Sequence, residues 1–270
     1  MGATASQLST ERDVARPSFS LTVLSNPDAR AALLEAERGD QYRVACYADR
    51  LNAIARTGQS YVAAKQSDTD RAHAQTHLTQ LQHSIPSTLQ TLGNVEVAYL
   101  MPSADGGLPH TRPTRLICLP MRPTPVSIET ILHELWHVHQ RVNKARWHHF
   151  LSSRWHFVPY KHSLPDKFQG MVRLNPDTLE TPLWLWKNEW VPVCVFTNPT
   201  TPTLQDTAVW FYNTQKGQYS TTVPAAMAAF FGTTLQAVAY EHPYEMGAYF
   251  LASDRPSMCE AYAQLKAEFS

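Results

Sequence analysis

Two histidines and a glutamate within residues 128–141, IETILHELWHVHQR, have the types and the spacing to do chemistry on a metal ion. His133 and His137 are four positions apart, so on a helix their imidazoles project from one face and can reach a single Zn²⁺. Glu134 projects beside them, where it can take a proton from a metal-bound water without binding the metal itself. The stretch therefore predicts a zinc site with Glu134 as its general base.

The helix that carries these residues has a marked start and an apolar face. Ser127 is placed to cap its N-terminus. His139 falls on another face, and we interpret it as polar surface rather than as a ligand. The alternative for the whole stretch is a polar helix face that binds nothing. The apolar residues recur at three- and four-residue spacing, as a half-buried helix requires: Ile128, Leu132, Leu135, Val138 and Val142.

A catalytic zinc site needs a third protein ligand and one position for water. The best candidate lies about a hundred residues further on, in YEHPYEMGAYFLA (240–252). Pro243 suits the first turn of a helix, which places Glu245 in that turn, where a second helix could lie against the first. Glu241 precedes Pro243 and is the alternative third ligand.

HExxH followed by a glutamate on a downstream helix resembles the gluzincin group of zinc metallopeptidases, whose active sites are thermolysin-like. The resemblance covers about residues 95–255. It implies that His133, His137 and Glu245 bind Zn²⁺ and that Glu134 is the general base. It also implies a zincin-like fold and the hydrolysis of peptide bonds in a peptide or protein substrate.

The neighbours of Glu245 depart from the thermolysin pattern, which has Asn before this glutamate and Asp four residues after it. Tyr244 and Tyr249 occupy those positions here, and Tyr249 could hydrogen-bond a ligand imidazole. A donor for the developing oxyanion is also required. The candidates for that donor are His162, Arg173 and Tyr244.

The fold expected around these motifs is α+β, with a small antiparallel sheet, the HExxH helix and a second ligand-bearing helix. We expect a flexible segment over 1–20, a helical region over 21–94 and a zincin-like metallopeptidase domain over 95–270. The pattern predicts helices over 27–57, 68–83, 243–253 and 256–268, and an antiparallel hairpin of 95–101 with 114–120. Over 155–224 we expect irregular structure with short strands and a Trp-rich packing cluster.

Composition excludes several classes of protein. Lys+Arg and Asp+Glu both total 23, so the chain has no basic excess for binding nucleic acid. No apolar run approaches the ~18 residues that a membrane-spanning helix needs. The four cysteines are far apart and form no CxxC pair, which favours packed thiols in a reducing, cytoplasmic environment.

The N-terminus, MGATAS, fits the N-myristoylation pattern, with Gly2 as the acceptor. One myristoyl chain anchors a protein only weakly, so we expect reversible membrane association or burial of the lipid in a protein assembly. The start resembles those of myristoylated proteins of large DNA viruses. A second hypothesis is therefore a membrane-anchored structural or scaffold protein, for example of a virion, with weak or lost peptidase activity. A third is a non-catalytic module that zinc stabilises.

Overall fold

The computed structural model describes residues 18–254 and 257–269 of the chain. The predicted lipid acceptor Gly2 and most of the segment 1–20 lie outside these residues. The described part consists of helices and of two β-sheets, which confirms the α+β class in its coarse form. None of the described helices is both long enough and apolar enough to cross a membrane.

The first sheet leads directly into the helix of the HExxH motif, and it is mixed rather than antiparallel. Strands β1, β2 and β4 run parallel, and β3 lies antiparallel at the edge, in the order β1-β2-β4-β3. The predicted hairpin of 95–101 with 114–120 is therefore wrong. The chain reverses once on entering β3 and again on leaving it, so β4 returns parallel to β2. The strands are β1 (Ser20–Val23), β2 (Asn94–Leu100), β3 (His110–Arg112) and β4 (Leu116–Pro120).

The N-terminal region is mostly helical and also supplies β1. Its helices are α1 (Asn26–Asp40), α2 (Tyr42–Ala48), α3 (Arg50–Ala55), α4 (Asp68–Leu81) and α5 (Ser87–Gln90). Gln41 adopts a left-handed conformation with φ 51°, and Asp49 is extended, so three helices replace the single one predicted over 27–57. A capping box between Ser67 and Asp70 starts α4 where the sequence predicts it.

Two helices of the second half carry the predicted ligands, α6 and α9. Ser127 caps α6 by accepting a hydrogen bond from Thr130 N at 3.1 Å, as predicted. Pro243 lies in the first turn of α9, also as predicted, and His242 is the N-cap of this helix. The helices of this half are α6 (Ile128–Val142), α7 (Lys144–Ser153), α8 (Ala225–Phe231), α9 (Pro243–Ala252) and α10 (Glu260–Phe269).

The main hydrophobic core lies between the first sheet and these helices. Leu135 of α6, Val97 of β2 and Leu265 of α10 are all fully buried in it. The apolar face predicted for α6 therefore anchors the motif helix to the sheet, and it leaves the opposite face to meet α9.

A second sheet, antiparallel throughout, occupies the segment predicted to be irregular. Its strands are β5 (Phe157–Pro159), β6 (Trp184–Trp186), β7 (Trp190–Phe196), β8 (Thr207–Asn213) and β9 (Gln218–Ser220), paired in that order. Trp184 and Trp186 point into the core, which confirms the predicted Trp-rich packing cluster. Short strands were expected here, but their pairing into one sheet was not, because Pro- and Thr-rich loops separate the short apolar runs.

Arg112 of β3 ties the first sheet to α1 through buried charges. Its guanidinium is fully buried and donates to Asp40 at 2.6 and 2.7 Å, and to Glu37 at 2.8 Å. It also donates to the hydroxyl of Tyr61 at 2.8 Å. Arg112 is thus a buried cation that needs these carboxylates, and without Arg112 the carboxylate of Asp40 would be a buried charge without a partner.

We expect Arg112→Ala to lower the free energy of unfolding by about 3–5 kcal/mol, because it leaves the Asp40 carboxylate buried without its cation. Urea unfolding followed by circular dichroism measures this change. The matched control is Arg38→Ala on α1, whose partner Glu35 is exposed, and there the expected loss is below about 1 kcal/mol. Equal losses in the two variants would contradict the analysis.

Candidate metal centre

Three side chains of α6 and α9 form a group that could hold one metal ion: His133, His137 and Glu245. The Nε2 atoms of the two imidazoles lie 3.0 Å apart. Glu245 Oε2 lies 3.3 Å from His133 Nε2 and 3.4 Å from His137 Nε2. His137 and Glu245 are buried, whereas the side chain of His133 is 19% exposed. The group is therefore compact, and it reaches solvent at His133.

Close packing of α9 on α6 and α7 brings the third side chain to the two imidazoles. Glu245 lies in the first turn of α9, where the capped helix start fixes its position. Gly247 is needed for this approach, because a Cβ there would lie 2.9 Å from a ring carbon of Trp147 on α7. It would also lie 3.4 Å from Gln140 Nε2 on α6. A larger residue would push α9, and Glu245 with it, away from the histidines.

Gln140 orients the imidazole of His137. Its Oε1 accepts a hydrogen bond from His137 Nδ1 at 2.7 Å, and its Nε2 donates to Tyr244 O at 2.8 Å. The second bond fixes which end of the amide faces the ring, so the hydrogen of the neutral imidazole lies on Nδ1 and Nε2 is free to bind a metal. Gln140 was not predicted, although its position one helical turn after His137 could have indicated it.

Asn175 orients Glu245 and separates it from the rival carboxylate. Its Nδ2 donates to Glu245 Oε1 at 2.9 Å and to Glu241 Oε1 at 2.8 Å. Arg173 donates to the other oxygen of Glu241 at 2.5 Å. Glu241 is thus held by Arg173 and Asn175, and Glu245 is the carboxylate in the group with His133 and His137. No sequence signal linked Asn175 to this group, because 70 positions separate it from Glu245.

The electrostatics of the group favour positive charge at its centre. Burial alone would lower the pKa of His137, but the carboxylates of Glu245 and Asp177 outweigh it and raise that pKa to about 10. Burial acts to raise the pKa of Glu245, and the two histidines reverse this and hold it well below its ordinary value. A site that binds a proton this firmly would also be stabilised by a metal cation.

Glu134 lies next to this group and is almost completely buried, with 3% of its surface exposed. Its Oε2 has no hydrogen-bond partner within the described part of the chain. Burial raises the pKa of Glu134 well above its ordinary value, and the negative charge of Asp177 raises it further. A buried carboxylate with an unpartnered oxygen is unusual unless it has a chemical role.

Several other predicted residues lie elsewhere. The interpretation of His139 as polar surface is wrong, because the residue is buried and its Nδ1 accepts a hydrogen bond from Trp147 Nε1 at 3.0 Å. Tyr249 contacts His133 edge to face, with ring centroids 4.7 Å apart. Of the candidate oxyanion donors, Arg173 is paired with Glu241, and His162 is an exposed residue.

Tyr244, the third candidate donor, packs on Trp147, His148 and Trp184. Its hydroxyl is buried and has no hydrogen-bond partner among the described residues.

Comparison with known proteins adds no relative: no protein-family model, no curated protein and no solved structure matches the chain.

His242, which caps α9 beside the group, makes the fold sensitive to acid. Its Nδ1 accepts from Tyr244 N at 3.0 Å and its Nε2–H donates to Thr181 O at 2.8 Å, so both bonds need the neutral ring. Burial lowers the pKa of His242 to about 4. Because this value is below that of the unfolded chain, the stabilisation is complete above about pH 6.5 and is lost as the pH falls toward about 4.

We expect His242→Asn, which keeps an N-cap acceptor, to flatten this part of the pH dependence. The slope due to His242 approaches about 1.4 kcal/mol per pH unit between those limits. Urea unfolding of both proteins near pH 7 and near pH 5, with metal removed by a chelator, measures the difference. Parallel losses in the two proteins would show that His242 is not the titrating group.

Proposed function

We propose that the chain is a zinc-dependent metallopeptidase with a zincin-like fold, in which His133, His137 and Glu245 bind the zinc. The separation of their donor atoms carries the proposal. Tetrahedral ligands at ~2.0–2.1 Å from zinc are about 3.3 Å apart, and the observed separations are 3.0, 3.3 and 3.4 Å. Two imidazoles and one carboxylate leave a fourth position free, as catalytic zinc sites do.

Zinc bound at this group would polarise a substrate carbonyl and lower the pKa of a bound water. The residues of the chain do the rest. Gln140 and Asn175 hold His137 and Glu245 in their binding orientations. Glu134 accepts the proton of the attacking water at its unpartnered Oε2 and delivers it to the amine that leaves.

This arrangement suits amide hydrolysis, because that reaction needs both an activated water and a proton for a poor leaving group. One carboxylate that accepts and then returns a proton meets both needs. We therefore propose a peptide or protein as substrate. The equal numbers of acidic and basic residues give no support to a nucleic-acid substrate.

The purified full-length protein is expected to hold about one zinc per chain, measured by elemental analysis after purification without chelators. His133→Ala and Glu245→Ala should lose it, since two remaining ligands bind zinc weakly. His149→Ala is the matched control, because His149 is an exposed residue of α7, and it should keep the zinc. A wild-type chain without metal, or zinc that survives both substitutions, would contradict the proposed ligand set.

Glu134→Gln is expected to reduce hydrolysis of an unfolded protein substrate by about 10²–10⁴-fold, the usual contribution of a general acid–base residue. Zinc content should be unchanged, because Glu134 is not a ligand. Hydrolysis is measured with a fluorescently labelled, denatured protein, beside zinc analysis of the same preparations. Wild-type protein that binds zinc but hydrolyses nothing would instead favour a zinc-stabilised structural module.

A further inference from the structure

Residues 172–178, here called the strap, cross between the N-terminal helices and α9. Asn52 of α3 holds the start of the strap by two hydrogen bonds. Its Nδ2 donates to Val172 O at 2.8 Å, and its Oδ1 accepts from Leu174 N at 2.9 Å. One side-chain amide thus pairs with the strap backbone as a neighbouring strand would, and this fixes the path of the strap.

The middle of the strap lies on the proposed ligand helix. Arg173 and Asn175 contact the carboxylates of Glu241 and Glu245, as described above. The oxygen of the Asn175 amide accepts a hydrogen bond from Asp177 N at 2.9 Å, which turns the chain toward β3. The strap therefore contacts the metal group at Glu245, through Asn175.

The end of the strap covers the free edge of β3, whose other edge pairs with β4. Thr111 of β3 donates to Asp177 Oδ1 twice, from its backbone N at 2.8 Å and from its hydroxyl at 2.5 Å. Arg141 donates to Thr111 O and to Pro176 O, each at 3.4 Å. Both backbone groups of Thr111 are thus occupied. These are the groups with which an extended peptide would pair if it added to this edge as a strand.

We infer that the strap is an autoinhibitory segment, and that the contact between Asp177 and Thr111 is the latch that keeps it closed over the catalytic centre. This inference rests on the proposed function. In the closed form Glu134 is 3% exposed and His137 2%, so solvent reaches the metal group at His133 and not at the general base. Displacement of the Asp177 end of the strap would free the edge of β3 on the side of Glu134, while Asn175 keeps its hydrogen bond to Glu245.

Hydrogen bonds and a charge contact hold the latch, which suits it to reversible release. The side chain of Asp177 is 5% exposed, and its Oδ1 accepts both bonds from Thr111 and lies 3.9 Å from Arg141 Nη2. The core beneath β3 consists of residues from other elements, so it does not depend on the strap being closed. A protein substrate that supplies its own backbone groups to Thr111 would replace the bonds that the strap gives up.

The test compares Asp177→Ala and Thr111→Val with wild type in the zinc-loaded, full-length chain. The rate at which a chromophoric chelator removes the zinc should rise on the order of tenfold in Asp177→Ala, since hydrogen bonds to a charged acceptor are lost. Hydrolysis of an unfolded protein should rise with it. Thr111→Val removes only the hydroxyl and keeps the carboxylate, so a smaller rise in the same direction is expected. Thr111→Val also tests the inference if Asp177→Ala does not fold.

Asp206→Ala is the matched control, because Asp206 accepts from the hydroxyl of Thr197 at 2.5 Å in an exposed loop, an equivalent bond away from the site. Both rates should stay at the wild-type value there. Zinc-loaded variants at positions 177 and 111 that behave like this control would overturn the strap inference alone. A fall in hydrolysis in Asp177→Ala with none in Thr111→Val would overturn it too, because Asp177 would then serve the reaction directly. Absence of zinc from every protein would overturn the proposed function, and the strap inference with it.

Discussion

The burial of one carboxylate between two imidazoles is the constraint on which the arrangement of the second half depends. Glu245 and His137 lie away from water, where a charge without partners costs several kcal/mol. Each therefore needs an opposite charge or a hydrogen bond at every polar atom. Gln140 supplies one for His137 and Asn175 supplies one for Glu245. These partners are within reach because α9 packs closely on α6, and Gly247 permits that close packing.

The N-terminal half takes part in this arrangement through the strap. Arg56, the C-cap of α3, donates to Leu174 O at 2.9 Å and pairs with the buried Asp105 at 2.9 Å. Tyr42 donates to Asp105 at 2.8 Å and accepts from Arg56 at 2.6 Å. Residues of the N-terminal region thus fix the path of the strap, which contacts the metal group at Glu245. A substitution among these buried charges would therefore act on the metal group through the strap.

The sequence predicted those features that a few neighbouring residues determine. The N-cap at Ser127, the helix start at Pro243 and the four-residue spacing of His133 and His137 are settled within a few residues, and the structure has all three. The closeness of Glu245 to the histidines was also expected, from its place in the first turn after Pro243 and from the resemblance to gluzincins. The direction of β4 and the pairing of the second sheet were not predicted. The direction of β4 depends on β3, the strand before it, after which the chain reverses again. Pairing between strands that are far apart in the sequence leaves no signal in the residues of either strand.

His139 shows that a polar residue on a helix need not be exposed to solvent. An imidazole can be buried as a neutral group when one nitrogen accepts from a buried donor, and Trp147 provides that donor here. Burial then lowers the pKa of His139 to about 4. The sequence contains both residues, but their contact depends on how α7 folds back on α6.

The bond between Gln140 and Tyr244 joins residues 104 positions apart, with the whole second sheet between them. During synthesis the two histidines therefore leave the ribosome well before the carboxylate that completes their group. At about 5–20 residues per second, this interval lasts about 5–20 s. A metal ion that met the nascent chain in this interval would find only two imidazoles, and would therefore be bound more weakly than by the complete group of three.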